Sequence, residues 1–275
     1  GDGEGQRGVE IATGKPVVIG SIEKMSKSKK NLVDPDDIIE GWGADCARWF
    51  MLSDSPPERD VVWTEAGIQG AGRFIQRAWR VVDDLADKAA PASVPGAAGA
   101  PPALSAEALA LRRAAHKATH AVAQSIEGLR FNVAVAQIYE FTNVLSAALA
   151  KFPAGSKTSK DFAWVFREAG ELFVQMIGPM MPHLGEECWA RLGYNTLLAN
   201  QPWPAVDAGL LVDDKITIAV QVNGKRRDEL LIARDAAEDE VKAAALKLDP
   251  VVRALEGRPP KKIIVVPQRI VNVVA

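Results

Sequence analysis

The chain has 275 residues, a length that suits two domains of ordinary size. At 48% hydrophobic and 25% charged residues it has the composition of a soluble globular protein, which excludes a disordered or fibrous chain. A net charge of −2 excludes a uniformly basic nucleic-acid binder, and the lack of any long apolar run excludes a membrane-spanning helix or a signal peptide.

Charge is unevenly placed. Residues 215–275 hold 12 Lys and Arg against 8 Asp and Glu, and residues 1–214 hold 21 against 27. A basic end on an acidic body fits either a surface facing a polyanion or a small soluble domain with a modest excess. Cys46 and Cys188 lie far apart in apolar, helical contexts and read as reduced core thiols, and no four-ligand metal pattern is present. The opening Gly1-Asp2-Gly3-Glu4-Gly5 lacks a methionine and reads as a cut or processed start.

In chain order, Val17-Val18-Ile19 is a short strand leading into Glu23-Lys24-Met25-Ser26-Lys27-Ser28-Lys29-Lys30-Asn31. That run is either a solvated loop or a movable set of ammonium groups for phosphate oxygens, with Ser26 and Ser28 adding hydroxyls and Met25 an apolar anchor. Asp34 caps a helix with Pro35 in its first turn. Gly41 and Gly43 interrupt it, the helix resumes from Asp45 to Leu52, and Pro56-Pro57 stops it.

Thr64 caps a long helix with Ile68, Ala71, Ile75, Ala78, Val82 and Leu85 at helical spacing. Its early glycines Gly67, Gly70 and Gly72 mark a close backbone approach. Residues 89–103 form an Ala/Pro/Gly connector. Ser105 starts a helix burying Leu109, Ala115, Ala118, Val122 and Ile126, Asn132 caps the next, Asp161 caps another, and Pro182 opens a short last one. The pattern predicts an antiparallel helical bundle. Trp49, Trp79, Trp164 and Trp189 belong to its core, and Trp203 staples the following linker to it. From Ile216 the period changes to two, Asn223-Gly224 marks a hairpin, two short helices follow, and two strands end the chain. The order ββααββ predicts a small α+β domain with helices on one sheet face.

Boundaries follow: 1–33 with the lysine loop, 34–63 a helical connection, 64–194 the bundle, 195–213 a linker, and 214–275 the α+β domain. The architecture is mainly α. His116 and His120 share a helix face at a spacing that metals use, but Lys117 stands where a zinc hydrolase has glutamate, so interhelical or surface histidines are the simpler reading and no metal site is expected.

Lys24-Met25-Ser26-Lys27-Ser28-Lys29, Asn31, Asp34-Pro35, Gly43-Ala44-Asp45 and Arg48 together resemble the KMSKS passage of class I aminoacyl-tRNA synthetases for leucine, isoleucine, valine and methionine. Pro182-His183-Leu184, Glu186-Glu187 and Trp189 resemble a late bundle motif of that group. Trp63 through Arg73-Phe74, then Arg130-Phe131-Asn132, then Val220-Gln221-Val222-Asn223-Gly224-Lys225 and the terminal strands resemble the bacterial-type leucyl-tRNA synthetase family. The resemblance covers residues 15–275. It implies a C-terminal part of an enzyme that activates leucine with ATP, with Mg in the full enzyme, and transfers leucyl to tRNA-Leu. The bundle would be of the anticodon-binding type.

By the same resemblance Lys27 contacts ATP, Lys24 supports the phosphate field, and Ser26 and Ser28 join the nucleotide site. Lys225, Arg226 and Arg227 contact tRNA backbone, with Lys261 and Lys262 as second candidates. The family's HIGH signature is missing, and His183-Leu184-Gly185-Glu186 departs from it in its last residue and its place, so His183 reads as a packing or capping residue. The isolated piece is then expected to form no leucyl-adenylate and to hold no cofactor by itself. It is expected to be a cytoplasmic monomer. The alternatives are a stand-alone tRNA-binding protein and a valine, isoleucine or methionine synthetase fragment.

Overall fold

The computed structural model describes residues 6–91, 100–212, 215–234 and 236–274. The connector at 92–99 and the junction at 213–214 lie outside those residues. The chain begins with a hairpin that the sequence did not announce. Strand β1 (Gln6–Val9) pairs antiparallel with β2 (Pro16–Ile19), and β2 is exposed along its length.

After the lysine loop, α1 (Pro35–Trp42) starts at Asp34, whose carboxylate accepts the Asp36 N–H at 3.0 Å. Gly43 separates it from α2 (Ala44–Asp54) with φ of 88°, a value open to glycine. Gly41 stays inside α1. The long helix α3 (Glu65–Lys88) is capped by the Thr64 hydroxyl on Gly67 N–H. It is followed by α4 (Ala106–Glu127), α5 (Phe131–Leu149), α6 (Lys160–Ile177) and α7 (Pro182–Arg191).

These helices share one core containing Trp49, Phe74, Leu85, Ile138, Phe166, Phe173 and Trp189. Trp49 stacks on Phe74 with ring centroids 4.5 Å apart. Two expected tryptophans differ. Trp164 is only partly buried, and Trp79 is exposed, sitting with Trp42 and His183 at the rim of an open cleft rather than inside the core.

Two expected caps move. Helix α5 begins before Asn132, because Arg130 C=O already accepts the N–H groups of Val133 and Ala134 after a turn with Leu129 at φ 55°. Helix α6 is led by Ser159, and the Asp161 carboxylate turns outward to accept Ser105 Oγ–H at 2.6 Å. It thereby ties the starts of α4 and α6, and the hydroxyls of Ser105 and Ser159 hold it far below the usual carboxylate range. On α4 the buried face runs through Ala108 and Leu111 instead of Leu109.

The stretch 195–213 is not a bare linker. A 3-10 turn at Leu198–Asn200 buries Leu198 in the helical core, and α8 (Ala208–Leu211) packs on α4. Trp203 is exposed, so Leu198 provides the apolar anchor expected of it.

The remaining elements are β3 (Lys215–Val222), β4 (Lys225–Ala233), α9 (Glu238–Leu246), α10 (Asp249–Leu255), β5 (Lys262–Val266) and β6 (Ile270–Val274). The sheet runs β4-β3-β6-β5, with β3 and β6 parallel in the middle and antiparallel outer strands. Ile218, Val220, Leu230, Ile232, Val271 and Val273 meet Val241, Ala245, Val251 and Leu255 of the two helices in a second, separate core. Burying alternate residues on one face fixes strand register, since a one-residue slip would expose the set.

Candidate functional site

The lysine loop is closed by its own polar groups. Asn31 Oδ1 accepts the Ser26 N–H at 2.8 Å, and Asn31 Nδ2 donates to Lys24 C=O at 3.4 Å. Turns join Lys29 N–H to Ser26 C=O and Lys30 N–H to Lys27 C=O, with Lys30 at φ 53°. The Ser26 and Ser28 hydroxyls are 3.2 Å apart, and Ser26 Oγ also accepts the Lys29 N–H. Sequence reading passed over Asn31 as a structural clamp.

Lys29 is paired with Glu23 at 2.7 Å, whereas Lys24, Lys27 and Lys30 have no carboxylate partner among the described residues. Three ammonium groups are therefore presented to solvent from one loop. Met25 is exposed, so it is not yet an anchor. In bulk water an ammonium 4 Å from a phosphate charge gains about 1 kcal/mol, against about 4 kcal/mol at an effective dielectric of 20. An anion at this loop would be held strongly only where a second surface covered it and excluded water.

Behind the loop, two motifs distant in sequence meet. Buried Asp45 at the start of α2 accepts the N–H of Leu184 at 2.6 Å and faces His183 Nδ1 at 3.1 Å. Its charge sits at the N-terminus of α7, where the helix dipole favours it. Arg48 donates to Pro179 C=O at 2.8 Å and Met180 C=O at 3.0 Å, covering the end of α6. The capping role expected of His183 thus belongs to Asp45, and the His183 ring itself is exposed.

At the other end of the chain, Asn223 (φ 49°) and Gly224 (φ 77°) make the hairpin turn, with Asn272 Oδ1 accepting the Gly224 N–H. Lys225, Arg226 and Arg227 follow it, all exposed. Arg226 is ion-paired with Glu229, which leaves Lys225 and Arg227 as the freer charges. Lys261 and Lys262 are exposed at the start of β5, on the opposite edge. Register aligns Lys225, Val222, Val273 and Ile263 in one row. Both basic groups therefore share one end of the sheet, three strand spacings or about 14 Å apart.

A buried polar cluster joins the helices to the stretch after them. Arg112 pairs with Glu168 at 2.8 Å, and His116 Nε2 lies 3.2 Å from the same carboxylate, off the hydrogen-bond axis. Asp207 N–H donates to His116 Nδ1 at 3.2 Å, which assigns the ring proton to Nε2. Burial pushes Glu168 upward, but its contacts with His116 and Arg112 outweigh that and hold it below the ordinary value. His116 is thus an interhelical histidine. Among the described residues no group of three His, Cys, Asp or Glu could hold a metal ion, and no helix is long and apolar enough to cross a membrane.

Comparison with known proteins matches residues 109–243 to the anticodon-binding domain of tRNA ligase and residues 17–64 to class I tRNA synthetases (I, L, M and V). The chain is 55% identical to a leucine–tRNA ligase of Rhodopseudomonas palustris over 99% of its own length and 31% of that protein. A leucine–tRNA ligase of Nitrobacter hamburgensis is 54% identical with the same coverage. Among solved structures, the LeuRS of Agrobacterium radiobacter K84 in a ternary LeuRS-tRNA-LeuAMS complex matches with a TM-score of 0.70 and 29% identity, covering 91% of this chain and 31% of that one. The chain spans about a third of the length of the relatives it matches.

Proposed function

We propose, from the premise that this chain is a relative of the leucine–tRNA ligases along nearly its whole length, that it supplies the KMSKS loop and the RNA-gripping domains of such a ligase. The observation that carries the proposal is the pairing of the open lysine loop with the basic end of the sheet on one chain 55% identical to a leucine–tRNA ligase. The whole ligase joins leucine to ATP, releases pyrophosphate, and passes leucyl to tRNA-Leu. In the whole ligase Mg2+ would accompany the nucleotide and offset its phosphate charge.

In this reading Lys27 meets the triphosphate and stabilises charge developing on the departing pyrophosphate, with Lys24 beside it. Asn31 holds the Ser26 end of the loop in place, and Ser26 and Ser28 offer hydroxyl donors. The helices form an antiparallel bundle of the anticodon-binding type, spanning 64–194, and the ββααββ unit at 214–275 grips RNA. Lys225 and Arg227 take backbone phosphates, Arg226 does so by exchanging Glu229 for phosphate, and Lys261 and Lys262 extend the contact across the sheet end. The chain works as a monomer in the cytoplasm. A water-exposed lysine loop gives little rate by itself, so the chain alone is inactive in adenylation.

The test has two arms. Purified chain is expected to retain a tRNA-Leu transcript and to give no ATP–pyrophosphate exchange above background. Exchange catalysed by the chain alone would overturn the division of labour. In the whole ligase, Lys27→Ala is expected to slow leucine activation while leaving tRNA affinity within about twofold, which is about 0.4 kcal/mol. A full-speed alanine variant would remove the lysine from the mechanism.

A further inference from the structure

The helical body and the sheet domain have separate cores that share no residue. Among the described residues, the elements of the sheet domain pack on one another, and none packs broadly on a helix of the body. Placement of the sheet domain therefore falls to the segment that leads into it.

That segment is fixed in two halves. In the first, Leu198 and Ala199 donate their N–H groups to Glu186 at 2.7 and 2.9 Å, and Pro202 C=O accepts from Gln175 at 3.3 Å. The second half, a strap of residues 207–212, lies against α4. Arg113 Nη1 donates to Val212 C=O at 2.6 Å, Asp207 N–H donates to His116 Nδ1 at 3.2 Å, and Leu210 is buried where α8 packs on α4. Arg112 Nη2 lies 3.9 Å from the Asp207 carboxylate, which caps α8 by accepting Gly209 N–H at 2.9 Å. Only residues 213 and 214 separate Val212 from Lys215 at the start of β3. Those three Cα steps reach about 10 Å at most, and a chain freed back to residue 206 would have nine steps and reach about 30 Å.

The His116 bond depends on the charge of the ring. Nδ1 accepts only while the imidazole is neutral, and a second proton would set N–H against N–H. Nε2 is buried without a hydrogen bond and lies 3.2 Å from Glu168. A charged ring would keep its ion partner on α6 and lose its partner on the strap. The other charged groups facing it are Arg112 on its own helix and Asp207 on the strap. On α5, which also packs on α4, the one charged residue is the exposed Glu140.

We propose that Arg113 and His116 are positioning residues, which hold the strap 207–212 on α4 and so set how far the sheet domain can travel from the bundle when the two grip one RNA. The proposal deepens the reading of the chain as the RNA-gripping part of a ligase and rests on it. Neither residue needs to touch RNA. Two binding units on one chain reinforce each other through an effective concentration that falls as about the −3/2 power of the free length between them. Tripling that length lowers it about fivefold.

The chain is followed by hydrogen exchange at residues 207–212 and by its radius of gyration in X-ray scattering. The whole ligase is followed by its KM for tRNA-Leu and by ATP–pyrophosphate exchange. Arg113→Gln/His116→Ala is expected to speed exchange of the strap about tenfold or more while α6 and β3 keep theirs. It should enlarge the radius of gyration, and in the whole ligase raise the tRNA-Leu KM about fivefold while leucine activation stays within about twofold. His116→Asn places an amide oxygen near the Nδ1 position and takes up no proton, so it should match wild type at pH 8. From pH 8 to about 5.5 Glu168 stays charged, because its contacts hold it below the ordinary value. A strap that opens in that interval in wild type and stays shut in His116→Asn reports the ring. Unchanged strap exchange in the double variant overturns the proposal, and so does a strap that opens with no change in radius of gyration or in KM. Faster exchange throughout α4 and α6 overturns it too, for the cluster would then be a brace of the bundle. If the wild-type ligase charges no tRNA-Leu, the functional reading falls and takes the role in RNA gripping with it, whatever the strap does.

Discussion

The Asp45 carboxylate accepts the backbone N–H of Leu184 at 2.6 Å, and so fixes the start of α2 against the start of α7 across 139 residues of chain. The contact is half-buried, charge-assisted, and directed at otherwise unpaired N–H groups of a helix end. It connects the helix that follows the lysine loop to the body of the bundle. Asp45→Ala leaves those half-buried N–H groups without their carboxylate. We expect a loss of about 2–4 kcal/mol in chemical denaturation. An unchanged midpoint would show that water replaces the carboxylate.

Gly185 and Gly178 make a backbone crossing where α7 leaves α6. A Cβ on Gly185 would come within 2.9 Å of Gly178 Cα and of Leu198 Cδ2. Backbone cannot yield there as a long side chain does. Gly185→Ala is expected to cost about 1–3 kcal/mol and to loosen the turn around Leu198. Limited proteolysis near residue 198 reads the second effect, and wild-type resistance in the variant would contradict it.

Glu168 gives the bundle an acid-sensitive joint. Its folded value is depressed below 4.5, so its contribution is complete above the unfolded value and is lost as pH falls through the folded one. Glu168→Gln should destabilise by about 1–3 kcal/mol at pH 7. The gap from wild type should shrink below about pH 4.5. A gap independent of pH would mean that packing, not charge, ties Glu168 to Arg112 and His116.

Both thiols are shielded. Burial first, and then the charge of Glu187, pushes Cys188 up to about 12, and burial raises Cys46, whose Sγ–H faces Ile68 C=O at 3.4 Å. Thiolate is the reactive form. A disulfide reagent at pH 8 is expected to label neither cysteine in the folded chain and both on denaturation. Fast labelling of the native chain would place one of them on a surface.

The three cations after the hairpin turn should not be equal. Arg226 already holds Glu229, so removing its charge also frees a carboxylate. Arg227→Gln is expected to flatten the salt dependence of tRNA binding by about 0.7–0.9 units. Arg226→Gln should flatten it less. The reverse ranking would indicate that Glu229 releases Arg226 fully when RNA arrives.

Several elements were legible because their signals are local. Asp34 and Thr64 cap where their side chains reach one turn ahead, and Asn223-Gly224 turns because both residues accept positive φ. Alternation from Ile216 to Val222 set both the strand and its buried face. The lysine loop was visible as a run of like charges. Strand β2 was legible as Val17-Val18-Ile19, but its partner β1 was missed, since β1 carries little apolar pattern. Asn132 and Asp161 misled because cap chemistry in sequence does not say whether the backbone has already turned helical.

Sequence by itself determined most of the helices and the strands of the second sheet, which loop carries the lysines and which end is basic. These depend on side chains within a turn or two of one another. Tertiary structure decided that Asp45 serves α7, that Leu198 rather than Trp203 pins the segment after the bundle, that Trp79 stays at the surface, and that Asn143 holds Arg77. Those partners lie tens of residues or more apart, and only packing of the helices brings them within hydrogen-bond or van der Waals range.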